Sequence, residues 1–214
     1  MALKEKINID DRYPYEAEWN RKQPPYTAFY NTMADTIEFK SVESFCDVGC
    51  ANGWLIHEVK HNNPHIRVSG YEYFDYHLKN SQELISKDIN IWDIREPLPD
   101  DCPKHNIVVC TEVGEHIEAE YAGVMLDNIK KLLEPGGALI ISWASTGGED
   151  DPDNDPYHQH LNPLQTREVH TLLQSHGFIY AKKESDALVA NSMKYEKLYD
   201  WWRQSLGIWV VSHE

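Results

Sequence analysis

Seven short apolar runs, spaced by helical and turn-forming stretches, limit what this chain can fold into. They cover residues 44–48, 66–71, 89–92, 106–110, 138–142, 178–180 and 208–212. The clearest, around 106–110 and 138–142, are continuously apolar and rich in branched residues, which marks strands buried on both faces. Between them lie expected helices over 54–60, 76–84, 116–133, 166–175 and 195–205. The third carries Ile117, Tyr121, Val124, Met125, Ile129 and Leu132 at helical spacing. Glu134-Pro-Gly-Gly137 stops it, and Thr166 is expected to cap the fourth. Repeated strand–helix alternation places helices on both faces of a mostly parallel sheet, so the fold class is α/β.

At 214 residues the chain suits one core domain, read here as 41–214 behind an N-terminal cap segment, 1–40. Lys and Arg number 20 against 35 Asp and Glu, a net charge of -15. A surface this acidic repels phosphate backbones and argues against nucleic acid as a partner. No apolar run reaches the roughly 18–20 residues of a membrane span, and the first residues lack the apolar core of a signal peptide. Cys46, Cys50, Cys102 and Cys110 form no CxxC pair. They read as thiols of a reducing compartment, so a cytoplasmic location is expected. Residues 145–160 are rich in Gly, Pro, Asp and Asn and read as a long loop, either a lid or an acidic insertion.

In open parallel sheets ligands bind beyond the carboxyl ends of the strands. The first strand runs into Asp47-Val-Gly-Cys-Ala-Asn-Gly53 and then directly into a helix. Gly49 permits a tight turn and Gly53 a close approach to the helix start, whose N–H groups are unpaired. Alone, such a turn is equally compatible with a purely structural role. Glu72 follows the second strand about 20–25 residues later, where a carboxylate accepts ribose hydroxyls. Asp93 and Ile94 follow the third, an acceptor for an adenine edge beside an apolar contact for its ring. Tyr73, next to Glu72, and Thr111, at the end of the fourth strand, complete the expected cofactor contacts. The spacing Gly49-x-Ala51-x-Gly53 is not the three-glycine dinucleotide pattern, and no Gly-x-x-x-x-Gly-Lys phosphate loop occurs. Asp47 would repel a pyrophosphate and suits a cationic sulfonium or amino group. These features favour S-adenosyl-L-methionine over NAD.

Together, Asp47-Val-Gly-Cys-Ala-Asn-Gly53, Glu72, Asp93-Ile94 and Leu133-Glu-Pro-Gly-Gly-Ala-Leu-Ile-Ile141 resemble the class I S-adenosylmethionine-dependent methyltransferases. The resemblance covers roughly residues 40–180 and departs at Ala51, where the family usually has glycine. It implies a Rossmann-like, seven-stranded sheet whose last strand is antiparallel, a place the 208–212 run can take.

After the fourth strand comes Thr111-Glu-Val-Gly-Glu-His116. Glu112, Glu115 and His116 therefore cluster where a methyl acceptor would lie, and three readings stay open. Glu115 and His116 can simply open the helix, an acid being favoured there by the helix dipole. His116 or the distant His160 can act as a general base, since imidazole titrates near neutral pH. The run also resembles the metal-binding set of small-RNA 2′-O-methyltransferases, which would use Glu112, Glu115, His116 and His160. It equally resembles quinone and sugar methyltransferases, and the downstream segment does not reproduce the RNA enzymes' motif in register. The expected catalytic set is therefore Glu112, His116 and His160, without a metal.

The remaining histidines show no ligand spacing. Tyr195, Tyr199, Trp201 and Trp202 read as a helix packed on the sheet, with a pocket roof or a homodimer surface as alternatives. Tyr13-Pro-Tyr15 and the segment from Pro24 to Tyr30 sit where a cofactor cap would. The expectation is methyl transfer to an O or N atom of a small molecule, with sugars and other polyhydroxylated metabolites favoured. The rivals are a metal-dependent RNA enzyme and a non-catalytic cofactor-binding subunit.

Overall fold

All seven apolar runs form strands: β1 (Ser44–Val48), β2 (Arg67–Glu72), β3 (Ile89–Ile91), β4 (His105–Thr111), β5 (Leu133–Ser142), β6 (Phe178–Tyr180) and β7 (Gly207–Val211). They join one sheet in the order β3-β2-β1-β4-β5-β7-β6. The first five are parallel, and β7 is antiparallel to both β5 and β6. The α/β architecture and the reversed last strand are those expected from sequence. The computed structural model describes residues 24–75, 77, 87–98, 101–145, 160–195 and 205–211. The expected helix over 76–84 (His77 apart), the loop interior 146–159, the aromatic stretch 196–204 and Tyr13-Pro-Tyr15 lie outside these residues.

Five α-helices are seen among the described residues: α1 (Pro24–Ala34), α2 (Trp54–Asn62), α3 (Ala122–Leu132), α4 (Thr166–Ser175) and α5 (Lys182–Ser192). Successive strand residues point to opposite faces, which divides the interior into two apolar clusters. Phe45, Val68, Ile107 and Ile140 pack with Phe29 of α1, Leu55 and Ile56 of α2 and Leu188 of α5. Cys46, Val108, Leu139 and Ile141 pack with Met125 and Ile129 of α3 and Leu173 of α4. No helix among the described residues is long and apolar enough to cross a membrane.

Three local differences from the sequence reading have physical causes. The helix expected from 116 begins only at Ala122, after 3₁₀ turns at Gly114–His116 and Ala119–Tyr121. Between those turns Ile117 and Glu118 are extended (ψ 132 and 139), and the Glu118 carboxylate is drawn 2.9 Å from Arg95 Nη1. β5 starts five residues early because Leu133 already pairs with His105, and a register shift in that pairing absorbs Glu134–Gly137. A Cβ on Gly137 would lie 2.9 Å from two carbonyl oxygens there, so the Pro-Gly-Gly run belongs to the strand's irregular start. In α4 the cap is Gln165 rather than Thr166: the Gln165 N–H donates to Glu168 Oε2 at 2.8 Å.

Candidate functional site

Strand order reverses between β1 and β4, and in open α/β sheets the cleft forms at that switch point. The turn after β1 is pinned to β2, where Gly49 N–H and Cys50 N–H donate to Tyr71 O at 2.8 and 3.2 Å. Gly49, Ala51 and Gly53 all have positive φ (73, 47 and 79°). Gly49 is required twice over, since a Cβ there would sit 2.3 Å from Val113 Cγ2. Ala51 accepts a conformation that favours glycine while its N–H donates to Glu72 Oε2 at 2.7 Å. That contact ties the glycine turn to the carboxylate at the end of β2.

Glu72 is buried, and its Oε1 accepts N–H groups from Tyr73 and Phe74 at 2.8 and 3.0 Å. Asp47 is also buried. Burial first, then the nearby Glu72 charge, pushes its carboxyl well above the usual range. Two buried acids facing one turn fit a ligand that brings an amino or sulfonium cation together with hydroxyl donors. The amide of Asn52 points to the same conclusion: it is buried, and neither Oδ1 nor Nδ2 has a partner among the described residues. Asn52 was passed over in the sequence as a spacer between Ala51 and Gly53. Only its burial identifies it.

The third strand's acid is already engaged. Asp93 accepts from Arg95 at Nη2 (2.8 Å) and Nε (2.9 Å), and Arg95 reaches on to Glu118. The guanidinium lies over the Tyr73 and Tyr121 rings, 5.5 and 5.8 Å from their centroids. Ile94 is buried in the second apolar cluster, and its carbonyl accepts from Asn128 Nδ2 at 2.8 Å. Arg95 is the residue of this corner that strand-end reasoning did not anticipate.

At the end of β4, Thr111 pairs with Ser142 of β5. Glu112 follows with φ 55°, unusual for a residue with a side chain, and its Oε1 accepts from Ser142 Oγ at 2.6 Å. Burial raises the Glu112 carboxyl to about 7, with the Ser142 bond opposing. Val113 packs on Gly49, so this turn lies directly against the glycine turn after β1. Gly114 lies under Trp143, where a Cβ would be 2.4 Å from two indole carbons. Trp143 Nε1 donates to Asn162 O at 2.7 Å, and Asn162 N–H donates back to Glu115 O at 2.9 Å. These contacts carry His160 to His116, with ring centroids 5.1 Å apart in an edge-to-face arrangement.

Glu115 is fully buried (0% exposed), with its Oε1 3.9 Å from His116 Nε2. Its carboxyl is raised by burial and then by Glu112. The structure thus gathers Glu112, Glu115, His116 and His160 at one sheet edge, beside the turn holding Asp47, Gly49, Ala51 and Gly53.

A methyltransferase-domain family model matches residues 19–182. No curated protein sequence matches the chain. Among solved structures, the plantazolicin methyltransferase BpumL bound to S-adenosylhomocysteine is 15% identical at a TM-score of 0.63, covering 93% of this chain and 89% of its own. The mitomycin 7-O-methyltransferase MmcR is 15% identical (TM-score 0.56; 73% and 48% covered). Human N-acetylserotonin methyltransferase with bound S-adenosylmethionine is also 15% identical (TM-score 0.52; 73% and 46%). The chain spans about half the length of these last two enzymes. At such identities the structural likenesses speak for the fold, and the family match carries the assignment: this chain belongs to the class I S-adenosylmethionine-dependent methyltransferases.

Proposed function

We propose that the chain methylates an oxygen or nitrogen atom of a small molecule, with polyhydroxylated acceptors favoured. The observation that carries this reading is that His160 meets His116 on the turn that carries Glu112 and packs against Gly49. S-adenosyl-L-methionine supplies an electrophilic methyl group when bound. Asp47, Gly49, Ala51, Gly53, Glu72, Tyr73, Asp93, Ile94 and Thr111 are the residues proposed to hold it, with segment 1–40 as a cap. Glu112, His116 and His160 orient the acceptor and take up the proton it loses. With the cofactor bound, the acceptor's lone pair would take the methyl group and the sulfur–carbon electron pair would remain on sulfur. Holding both partners in line supplies much of the rate. The charge of -15 supports a small acceptor over a polyanion. Four free cysteines support a reducing, cytoplasmic setting.

The test is calorimetric titration with S-adenosylhomocysteine, followed by an acceptor screen on wild type and His160→Ala. One-site binding with turnover lost in the variant is expected. Undiminished turnover in His160→Ala would remove that residue from the mechanism.

A further inference from the structure

Arg95 joins three segments that lie beyond the carboxyl ends of β2, β3 and β4. Its Nε and Nη2 grip Asp93 at 2.9 and 2.8 Å. Its Nη1 reaches Glu118 Oε2 at 2.9 Å, and its guanidinium carbon lies 5.5 Å from the centroid of the Tyr73 ring. Tyr73 follows β2, Asp93 follows β3, and Glu118 belongs to the segment between β4 and α3. Stability is a poor account of this arrangement. The Glu118 side chain is 43% exposed, and ion pairs of that kind contribute about 0–1 kcal/mol. A planar fork instead fixes the direction of whatever it grips.

What it fixes first is the Asp93 carboxylate. Such a group has about four acceptor positions. Oδ1 takes two donors, the Arg95 backbone N–H at 3.0 Å and Nε at 2.9 Å. Oδ2 takes Nη2 at 2.8 Å and only a long contact from Nε, at 3.2 Å. Acceptor capacity therefore remains on Oδ2, and the fork decides where it faces. Tyr73 is set by the same group. The guanidinium lies over its ring and Phe74 meets it edge-on at 4.8 Å, yet Tyr73 stays 42% exposed. A flat aromatic surface and an aimed acceptor, both held by one guanidinium, suit an aromatic base that carries an amino group.

We propose that Arg95 is a positioning residue that makes the cofactor site selective for a 6-aminopurine, by aiming Asp93 at the amino group and setting Tyr73 against the ring. This rests on the proposed contacts of Asp93 and Tyr73 with S-adenosyl-L-methionine, and names the residue that sets their geometry. An oxygen in place of the amino group brings one acceptor against another, so the bond is lost and repulsion replaces it. Without the fork nothing holds the carboxylate in that direction, and the distinction fades.

The test uses the full chain and two ligands titrated by calorimetry. These are S-adenosylhomocysteine and S-inosylhomocysteine, in which an oxygen replaces that amino group. The wild type should favour the first by about tenfold or more, the scale of a hydrogen bond to a charged acceptor. Arg95→Ala should weaken S-adenosylhomocysteine binding and bring the two ligands within about threefold of each other. Arg95→Lys keeps the charge without the fork, and should retain less than about a third of the wild-type ratio. The ratio is decisive, because a variant that is only less stable loses affinity for both ligands alike. If Arg95→Ala fails to fold, Arg95→Lys decides. A wild-type ratio near one, or a ratio kept in either variant, overturns the role of Arg95. S-adenosylhomocysteine binding in that case leaves the cofactor reading intact. If the wild type binds neither ligand, the proposed cofactor contacts fall together with the role of Arg95.

Discussion

Gly114 offers the sharpest test of how the site is held together. An added Cβ would lie 2.4, 2.4 and 2.6 Å from three atoms of the Trp143 indole, far inside van der Waals contact. Trp143 is 0% exposed, so the ring has no solvent to move into, and its N–H is committed to Asn162 O. Overpacking of this kind costs about 1–3 kcal/mol. Gly114→Ala should therefore lower Tm by about 4–8 °C if the cost is about 2 kcal/mol, on the scale for a domain of this size. Trp143→Leu alone should cost about 2–4 kcal/mol through the cavity it leaves. The double variant should be no less stable than Trp143→Leu, because the atoms that Cβ would strike are gone. The measurement is a double-mutant cycle from urea unfolding, expected to give about 2 kcal/mol of coupling. Costs that simply add, or a Tm change below about 1 °C for Gly114→Ala, would refute the collision and the claim that Trp143 sets the Glu115 turn.

Other consequences are as direct. His105 is fully buried beside Ser69, with Nε2 3.0 Å from Oγ, and burial first, then Arg67, lowers its pKa from 6.5 to about 4. The unfolded chain therefore takes up a proton that the folded one refuses between those values. Stability should be full above about pH 6.5 and should fall by about 3 kcal/mol as pH drops to 4, a slope that His105→Gln should lack in pH-dependent urea melts. Asn128 is buried and its Nδ2 serves the carbonyls of Ile94 and Glu96 at 2.8 and 2.9 Å. Asn128→Ala should cost about 2–3 kcal/mol and weaken S-adenosylhomocysteine binding by loosening the turn that carries Asp93. Asp47→Asn should weaken that binding by about tenfold or more, the worth of one charge-assisted hydrogen bond. Its Tm should not fall, because the substitution removes a buried charge; a fall with unchanged affinity would place Asp47 among the structural residues.

The turn after β1 and the acid after β2 were legible because they lie in short runs at strand ends. Asp47 and Glu72 lie at the ends of the paired parallel strands β1 and β2, with Gly49 just beyond, and the Ala51 N–H donates to Glu72 across 21 residues. The turn after β4 was only partly legible. Glu112, Glu115 and His116 share one turn and could be read together, but what carries His160 to them is a relay through Gly114, Trp143 and Asn162 that no local pattern encodes. Arg95 escaped because its role depends on the distant Glu118 and Tyr121. α5 escaped for another reason. Its buried residues are Ser185, Leu188 and Ser192, and it docks through a polar hinge in which Ile208 N–H donates to Ser185 Oγ at 2.9 Å. Such a helix shows no apolar stripe. α1 was hidden in the opposite way, since Tyr, Phe and Met fall along most of its length and two prolines open it. Proline at a helix start is in fact well accommodated.

Several unfavourable features among the described residues gather beyond the carboxyl ends of β1, β2 and β4. Asp47, Glu72 and Glu115 are buried, and Glu112 is raised to about 7 by its burial. The non-glycine residues with positive φ among those described, Ala51 and Glu112, flank the same cleft. Elsewhere, buried polar side chains such as Asn128 and Ser185 serve as connectors, and His105, at the other end of β4, is the main exception. Strain and desolvated charge persist only where surrounding structure enforces them, and they collect where ligands must be met. If Asp47 and Glu72 hold the cofactor as proposed, S-adenosylhomocysteine supplies the donors they lack and should stabilise the fold by binding only its native form. The ligand should raise Tm in the wild type, and Asp47→Asn should abolish most of that increment. An undiminished increment in the variant would remove Asp47 from the cofactor contact.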